Sequence, residues 1–343
     1  MMKLKILLSL VTLVLVFGAS FIITSSLIKV TNGDGAITTP LAEFIKLNEE
    51  QRVEAEHKAN SALSTKEVLN ILLIGIDRRS KYQNGFNTDV MILASISPKT
   101  NKVLLTSVPR DLWVNGNKIN ALYTIDGPET LVDAFEQITG QEVDGYILTD
   151  FADFKWVIDA FGGVPVTVER TFTDNTFPND SDTAVVSVTF TEGFEKMSGA
   201  RALIFARSRK GSNGEGSDLM RAKRQHLILQ GLVQAVSQPE SKFWPMDVKV
   251  FYEAVASVER MKTTLSLNDC IYLWDFYKDK DKYTVESFVI GDTYIYHPGL
   301  YPDSAYHAWV FIPRESSWTQ LHEDIKAKLD GTFVDPSAVV EQQ

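Results

Sequence analysis

Several common kinds of functional site have no basis in this sequence of 343 residues. It contains one cysteine, Cys270, which excludes an internal disulfide and a cysteine-based zinc site. No segment has the G-x-S-x-G pattern of a serine hydrolase, and no glycine-rich segment ends in the Gly-Lys-Ser/Thr of a P-loop. The histidines show no ligand spacing, so we interpret all five as structural or surface residues: His57, His226, His297, His307 and His322.

An excess of positive charge is also missing. The chain has 34 lysines and arginines against 44 aspartates and glutamates, a net charge of −10, so nonspecific nucleic-acid binding is not expected. With 44% hydrophobic and 23% charged residues the composition is that of a globular protein, long enough for one large domain or two small ones. We find no internal repeat and no domain boundary after residue 66.

The N-terminus has the pattern of a membrane segment. Lys3 and Lys5 precede residues 6–28, which carry no charge and are long enough to span a bilayer. A cleaved signal peptide is the alternative, with Gly18-Ala19-Ser20 as its cleavage site, but apolar residues resume after it and favour an uncleaved anchor. Because the lysines precede the span, the positive-inside rule places the N-terminus in the cytoplasm and the remaining chain outside.

The pattern after residue 66 predicts an α/β domain. Residues 68–74 form an apolar run rich in β-branched side chains, which is typical of a strand buried on both faces. Further strands are predicted at 90–96, 102–109, 143–149, 164–168, 185–190, 283–290 and 309–312. Helices are predicted at 128–138, 150–160, 199–206, 219–237, 247–261, 268–278 and 317–329, and surface loops at 173–183 and 211–217. This alternation indicates a three-layer α-β-α sandwich around a mixed central sheet, preceded by one transmembrane helix.

Charged residues mark one end of each of the first three predicted strands. Asp77 and Arg79 follow the first strand, Asp89 opens the second, and Arg110 with Asp111 closes the third. Ligands commonly bind at the ends of central strands in such sheets. The repetition predicts one site for a metal and a phosphate, and solvated loops are the alternative.

Asp77 and Asp89 are the candidate metal ligands. Mg²⁺ at diphosphates is commonly held by one or two carboxylates, phosphate oxygens and water. The alternative is that the two carboxylates form ion pairs with Arg79 and Arg110.

A basic segment lies in the second half of this otherwise acidic chain. Between residues 201 and 224 seven basic residues face two acidic ones: Arg201, Arg207, Arg209, Lys210, Arg221, Lys223 and Arg224 against Glu215 and Asp218. Arginine suits bidentate phosphate contacts, and the glycine-rich loop at 211–217 opens a helix whose N–H groups attract anions. The segment predicts anion binding, with a solvated charged face as the alternative.

One face of the helix predicted at 219–237 changes from polar to apolar along its length. Arg221 and Gln225 are i,i+4 neighbours, and the same face continues through Ile228 and Leu232. One explanation is an amphipathic helix whose first turn meets solvent. The other is a ligand whose charged head contacts Arg221 and Gln225 while its apolar tail lies along Ile228 and Leu232, as a lipid diphosphate would.

Seven short blocks, in order between residues 68 and 237, resemble the LytR-CpsA-Psr family: NILLIGIDRR (70–79), NTD (87–89), SVPRD (107–111), KIN (118–120), FGGV (161–164), ARSRK (206–210) and RAKRQ (221–225). The resemblance implies a phosphotransferase that moves a glycopolymer, such as teichoic acid or capsule, from a polyprenyl diphosphate carrier to peptidoglycan. The alternatives are a polyprenyl diphosphate phosphohydrolase and a noncatalytic, regulatory polyanion-binding protein of the envelope.

The resemblance also implies residue roles. Asp77 and Asp89 would bind Mg²⁺ or Mn²⁺, and both would be catalytic together with Arg110. Residues that would hold the diphosphate are Arg79, Arg110, Lys118, Arg207, Arg209, Arg221 and Gln225. Asn87 stands where many family members have arginine, which removes one phosphate contact.

The predicted organisation is a cytoplasmic tail at 1–5, a transmembrane signal anchor at 6–28, a linker and helical stalk at 29–66, an extracellular catalytic domain at 67–330 and a tail at 331–343. The implied partners are the lipid-linked glycopolymer, the peptidoglycan acceptor and the cell membrane, with no nucleic acid.

Overall fold

The computed structural model describes residues 51–78, 83, 85–179, 183–236, 238–243, 246–256, 261–299 and 306–334. The predicted membrane anchor at 6–28 and the predicted diphosphate ligand Arg79 lie outside these residues. Within the described part of the chain, no helix combines the length and apolar character needed to cross a bilayer.

Strands and helices alternate through most of the described chain. The strands are β1 (Leu69–Ile76), β2 (Thr88–Ser97), β3 (Lys102–Ser107), β4 (Trp113–Val114), β5 (Asn117–Lys118), β6 (Gly145–Asp150), β7 (Val164–Val168), β8 (Phe172–Pro178), β9 (Val185–Phe190), β10 (Gly193–Met197), β11 (Lys262–Thr263), β12 (Thr284–Val289), β13 (Ile295–Tyr296) and β14 (Ile312–Pro313). From residue 119 onward the α-helices are α1 (Ile119–Asp126), α2 (Pro128–Thr139), α3 (Phe151–Ala160), α4 (Gly199–Arg207), α5 (Asp218–Val236), α6 (Val248–Ala256), α7 (Leu267–Lys278) and α8 (Thr319–Asp330). Residues 51–59 are also helical.

The central sheet has six strands in the order β11-β6-β1-β2-β3-β12. β2 is antiparallel to both β1 and β3, whereas β6 is parallel to β1 and β12 is parallel to β3. The carboxyl ends of β1 and β3 and the amino end of β2 therefore lie at the same edge of the sheet. Asp77, Asp89 and Arg110 are at these three strand ends, so the topology brings the predicted charged residues to one edge.

Both faces of the sheet are covered by helices. Side chains alternate along β1, so Ile71 and Leu73 join one buried core while Leu72 and Ile74 join another. The first core includes side chains of α3, α4, α5, α6 and α7, and the second includes side chains of α1, α2 and α8. This mixed sheet between two helical layers agrees with the α/β architecture predicted from the sequence.

The position of α5 depends on a glycine. A Cβ atom on Gly231 would lie 2.2 Å from the carbonyl oxygen of Pro165, closer than real Cβ contacts allow. α5 therefore packs with its backbone close to β7. This contact fixes the direction of the helix that carries Arg221 and Gln225.

Three parts of the fold differ from the prediction. The predicted loop at 173–183 contains β8, which pairs with β9 and buries Phe172, Asp174 and Phe177. Its polar residues obscured the strand pattern, and the pairing is irregular between Asp174 and Phe177. The predicted strand at 309–312 is limited to β14. Within the helix predicted at 247–261, α6 is described as far as Ala256, and residues 257–260 lie outside the described part of the chain. Helix α1 was not predicted; no side-chain hydrogen bond caps its start.

Candidate active site at the edge of the central sheet

A cavity of about 430 Å³ lies between the sheet and the layer formed by α3, α4, α5 and β8. This volume is within the range of small-molecule sites. Its polar wall includes Asp77, Asp89, Thr149, Asp150, Asp174, Thr176, Arg207, Arg209, Lys210, Arg221 and Gln225. Its apolar wall includes Leu73, Ile92, Ile147, Phe154, Val157, Leu203, Ile228, Leu229, Leu232 and Met261.

The cavity changes from polar to apolar along two elements. On the strand side, Asp77 lies at the sheet edge and Leu73 lies further inside the sheet. On the helix side, Arg221 and Gln225 belong to the first turns of α5, and Leu232 follows about 16 Å beyond Arg221 at the rise of an α-helix. A ligand that fills the cavity would thus meet charge at one end and hydrocarbon at the other.

Most of the predicted site residues in the described chain share this cavity. The residues that line it are Asp77, Asp89, Arg207, Arg209, Arg221, Gln225, Ile228 and Leu232. Arg110 and Lys118 do not line it. Their predicted contacts with a diphosphate, like the roles of the other residues, remain predictions.

Arg110 contacts the cavity through a carboxylate. Its Nη1 donates to Oδ1 of Asp89 at 2.7 Å, and both side chains are about three-quarters buried. Burial opposes the charge on Arg110, but Asp89 and Asp111 outweigh it and raise the pKa of the guanidinium. The ion pair that we considered as an alternative for Asp89 therefore exists, and it lies at the wall of the cavity.

Lys118 lies beyond Arg110 and Asp111 from the cavity. Its Nζ donates to Oδ1 of Asp111 at 2.6 Å, and Asp111 also lies 3.5 Å from Nε of Arg110. The row Lys118, Asp111, Arg110 and Asp89 extends from the β4–β5 hairpin to the cavity wall. In this arrangement Lys118 supports the position of Asp111 rather than contacting the cavity.

Asp218 lies between two arginines of the cavity wall. Its Oδ2 accepts from Nη2 of Arg209 at 2.9 Å, and its Oδ1 lies 3.1 Å from Nη2 of Arg221. Burial would raise the pKa of Asp218, but Arg221, Arg209 and Arg110 together lower it. Asp218 thus stays ionised and holds the two guanidinium groups beside each other.

Arg221 is the most buried of the cavity arginines. It is 8% exposed, and burial lowers its pKa although Asp218 opposes this effect. Arginine nevertheless stays protonated in proteins. Its Nε is buried and finds no hydrogen-bond partner among the described residues. A buried cationic donor of this kind favours the binding of an anion.

Arg207 and Gln225 complete the wall from neighbouring elements. Arg207 ends α4, and its guanidinium carbon lies 4.5 Å from the ring centre of Phe151 and 5.4 Å from that of Phe177. These cation–π contacts hold the guanidinium close to both aromatic rings. Gln225 donates from Nε2 to the carbonyl oxygen of Ala206 at 3.3 Å, which connects α5 to the end of α4.

Asp174 is a site residue that the sequence analysis missed. Its Oδ2 accepts from Oγ of Ser208 at 2.8 Å and from the backbone N–H groups of Arg209 and Lys210 at 3.3 and 3.2 Å. Burial opposes the charge on Asp174, but these donors and Thr176 lower its pKa. It therefore fixes the backbone that carries Arg209. The loop-like composition around it gave no signal of this role.

Arg224 is buried away from the cavity wall and also supports this segment. Only 2% exposed, it donates from Nη1 to Oε2 of Glu215 at 2.7 Å and from Nε to the carbonyl of Phe205 at 3.1 Å. It also donates to the carbonyl of Ser208. Arg224 thus connects α5 with both ends of the segment that contains Arg207 and Arg209.

Only part of the basic segment faces the cavity. Arg201 pairs with Glu195 at 2.7 Å, and Lys223 pairs with Glu169. With the buried Arg224, these residues account for three of the seven positive charges that the sequence analysis grouped together. The prediction of anion binding by the whole segment is therefore restricted to Arg207, Arg209, Lys210 and Arg221.

The donor set at the sheet edge suits a hard divalent cation. Asp77 and Asp89 both line the cavity and offer carboxylate oxygens, the ligands that Mg²⁺ prefers. In the part of the chain that the structure describes, no group of three or more histidines, cysteines, aspartates or glutamates forms a metal cage. Two carboxylates fit an ion that takes its other ligands from phosphate oxygens and water.

Fold and cavity together define an α/β domain with an amphiphilic cavity whose polar end is lined by arginines. Residues 39–326 match the model of the LytR_cpsA_psr family, and the chain belongs to this family. It is 26% identical over 276 residues to the polyisoprenyl-teichoic acid–peptidoglycan teichoic acid transferase TagV of Bacillus subtilis. It is 29% identical over 232 residues to the corresponding transferase TagU of Oceanobacillus iheyensis.

The alignment with TagV covers 78% of this chain and 66% of TagV. The alignment with TagU covers 64% of this chain and 65% of TagU, so this chain spans just under two thirds of each relative. The crystal structure of B. subtilis TagV has the same fold. It superposes with a TM-score of 0.56 and 25% identity, over 78% of this chain and 98% of that structure.

Proposed function

We propose that this protein is a phosphotransferase that moves a glycopolymer from a polyprenyl diphosphate carrier to peptidoglycan. The observation that carries the proposal is one cavity with arginines at one end and aliphatic side chains at the other. The family membership supports it, because the relatives are named for the transfer of polyisoprenyl-linked teichoic acid to peptidoglycan.

In this proposal the polar end binds the diphosphate. Arg209 and Arg221, held together by Asp218, donate to the phosphate oxygens, and Arg207 adds a third guanidinium from the end of α4. Arg110 does not line the cavity, but it adds positive charge next to the cavity wall through its ion pair with Asp89. The prenyl tail lies along Ile228 and Leu232, where burial of hydrocarbon adds binding energy.

Phosphoryl transfer then requires one bond to form and one to break. An acceptor hydroxyl oxygen of the cell wall bonds to the phosphorus nearer the glycan. The bond from this phosphorus to the bridging oxygen breaks, and that oxygen leaves with the polyprenyl phosphate. The hydroxyl proton passes to a carboxylate, Asp77 or Asp89. The arginines stabilise the charge that develops on the phosphoryl oxygens and the leaving group.

Asp77 and Asp89 would also hold a divalent cation, Mg²⁺ or Mn²⁺. Such an ion neutralises charge on the transferring phosphate when it is bound. We further propose the topology predicted from the sequence. The segment 6–28 anchors the protein in the cell membrane, so that the cavity meets its lipid substrate outside the cell.

The proposal is tested with the purified full-length protein and a synthetic polyprenyl diphosphate-linked glycan. We expect polyprenyl phosphate to form together with glycan attached to added peptidoglycan, and EDTA to stop both. A phosphohydrolase would release the lipid phosphate equally fast without acceptor, and a noncatalytic binding protein would give no turnover. Either result would refute the transferase.

A further inference from the structure

Two groups of contacting rings lie beside the polar row of Arg110 and Asp111, and we name them together the aromatic shelf: Trp113 with Tyr306, and His297 with Trp309 and Phe311. The centroids of Trp113 and Tyr306 are 5.1 Å apart, and those of His297 and Trp309 are 4.8 Å apart. Trp309 stands nearly perpendicular to Phe311, with centroids 4.8 Å apart.

The aromatic shelf adjoins the polar row that leads into the cavity. The backbone N–H of Phe311 donates to the carbonyl of Asp111 at 2.9 Å, and the N–H of Trp113 donates to the carbonyl of Phe311 at 2.8 Å. Asp111 is the immediate neighbour of Arg110, which pairs with Asp89 in the cavity wall. A molecule bound on the aromatic shelf is therefore next to the polar end of the cavity rather than the apolar end.

The aromatic rings and amides of this surface are groups that bind saccharides. Trp309 is 38% exposed, and Trp113 and Tyr306 are half-buried, so the rings combine a fixed position with contact to solvent. The electron-rich face of an aromatic ring attracts the C–H groups of a sugar ring. Beside Trp113, the β4–β5 turn presents the exposed amide of Asn115, and the half-buried Asn117 lies in β5. Amides donate to and accept from sugar hydroxyls.

We propose that the aromatic shelf binds the acceptor, a glycan strand of the cell wall, and directs one of its hydroxyls toward the diphosphate. This inference rests on the proposed transferase function and adds the location of the second substrate to it. The donor lipid and the acceptor then approach the transferred phosphorus from opposite sides, the lipid from the cavity and the glycan from the aromatic shelf.

The test measures binding of soluble, lipid-free glycan strands by the full-length protein, without any lipid diphosphate. Trp309→Ala and Trp113→Ala are compared with wild type. The matched control is Phe194→Ala, which removes an aromatic ring that is 73% exposed on β10, outside the aromatic shelf. We expect each tryptophan variant to weaken glycan binding roughly tenfold or more, and the control to leave it unchanged.

Two further measurements distinguish a loss of glycan binding from damage to the cavity. Binding of geranylgeranyl diphosphate should be unchanged in both tryptophan variants, which shows that the cavity is intact. In the transfer assay the KM for the acceptor should rise while the KM for the donor stays constant. Wild-type glycan affinity in Trp309→Ala and Trp113→Ala, or no glycan binding by wild type, would overturn the aromatic shelf as the acceptor site. A failed transfer assay would instead count against the proposed function.

Discussion

Arg110 donates to Asp89 across 2.7 Å and so joins the end of β3 to the beginning of β2. The pair lies at the sheet edge, where Asp77 follows the antiparallel neighbour β1. A carboxylate has two oxygens, so Asp89 can accept from Arg110 and still bind a cation. The proposed metal and Arg110 would therefore use different oxygens of Asp89.

Removal of the buried cavity arginine should affect transfer much more than folding. In Arg221→Ala the diphosphate loses a charged donor, and we expect the transfer rate to fall about 100- to 1000-fold. The matched control is Arg201→Ala, because Arg201 belongs to the same basic segment but pairs with Glu195 outside the cavity wall. Equal transfer rates for the two variants, with circular dichroism showing both folded, would contradict the site.

Asp77 and Asp89 should determine the affinity for a divalent cation. Mn²⁺ binding in the presence of farnesyl diphosphate, followed by electron paramagnetic resonance, should weaken about tenfold or more in Asp77→Asn and Asp89→Asn, because each variant removes a carboxylate ligand. Asp133→Asn is the control, since Asp133 is exposed on α2, which packs on the opposite face of the sheet. Wild-type affinity in both site variants would show that the metal binds elsewhere.

The pair of Arg224 and Glu215 should contribute to stability. In Arg224→Met the carboxylate of Glu215, which is 6% exposed, loses its closest partner. We expect the free energy of unfolding to fall by about 3–5 kcal/mol in urea titrations. The double variant Arg224→Met with Glu215→Leu should recover much of this loss because it leaves no buried charge. A double variant less stable than the single one would argue against this explanation.

His226 should make stability depend on pH. Its ring is buried against Ser107, with Nε2 and Oγ 2.9 Å apart, and burial lowers its pKa to about 4. Between pH 6.5 and about 4, His226 is protonated in the unfolded chain but neutral in the folded chain. The free energy of unfolding therefore falls as the pH drops through this range. The loss should amount to about 3 kcal/mol.

The histidine contribution is isolated by comparison with a variant. His226→Gln cannot take up a proton, so its unfolding free energy should lack this part of the decline. Urea titrations of both proteins at pH 7.0, 5.5 and 4.5 measure the difference. Parallel pH profiles for wild type and variant would mean that His226 is not the group responsible.

The sequence predicted the positions of the charged residues better than the contacts that support them. The charges at the strand ends could be recognised in the sequence, and the antiparallel pairing of β2 with β1 and β3 brings Asp77, Asp89 and Arg110 to one edge. The i,i+4 spacing likewise predicted that Arg221 and Gln225 line one wall. The directions of the remaining basic side chains were not predictable, because Arg201 and Arg224 pair with residues outside their own helices, Glu195 in β10 and Glu215 in the glycine-rich loop. Asp174 was missed for the same reason, since its partners lie 34 to 36 positions away.

Tail-length dependence of binding tests the central claim, a single cavity for a charged head and an apolar tail. Dissociation constants of the full-length protein in nanodiscs are measured for inorganic diphosphate, geranyl diphosphate and geranylgeranyl diphosphate, and again for Arg221→Ala and Leu232→Gln. Wild-type affinity should rise with each added prenyl length. Arg221→Ala should weaken all three ligands by a similar factor, and Leu232→Gln only the prenylated ones. Equal wild-type affinity for all three would contradict the account.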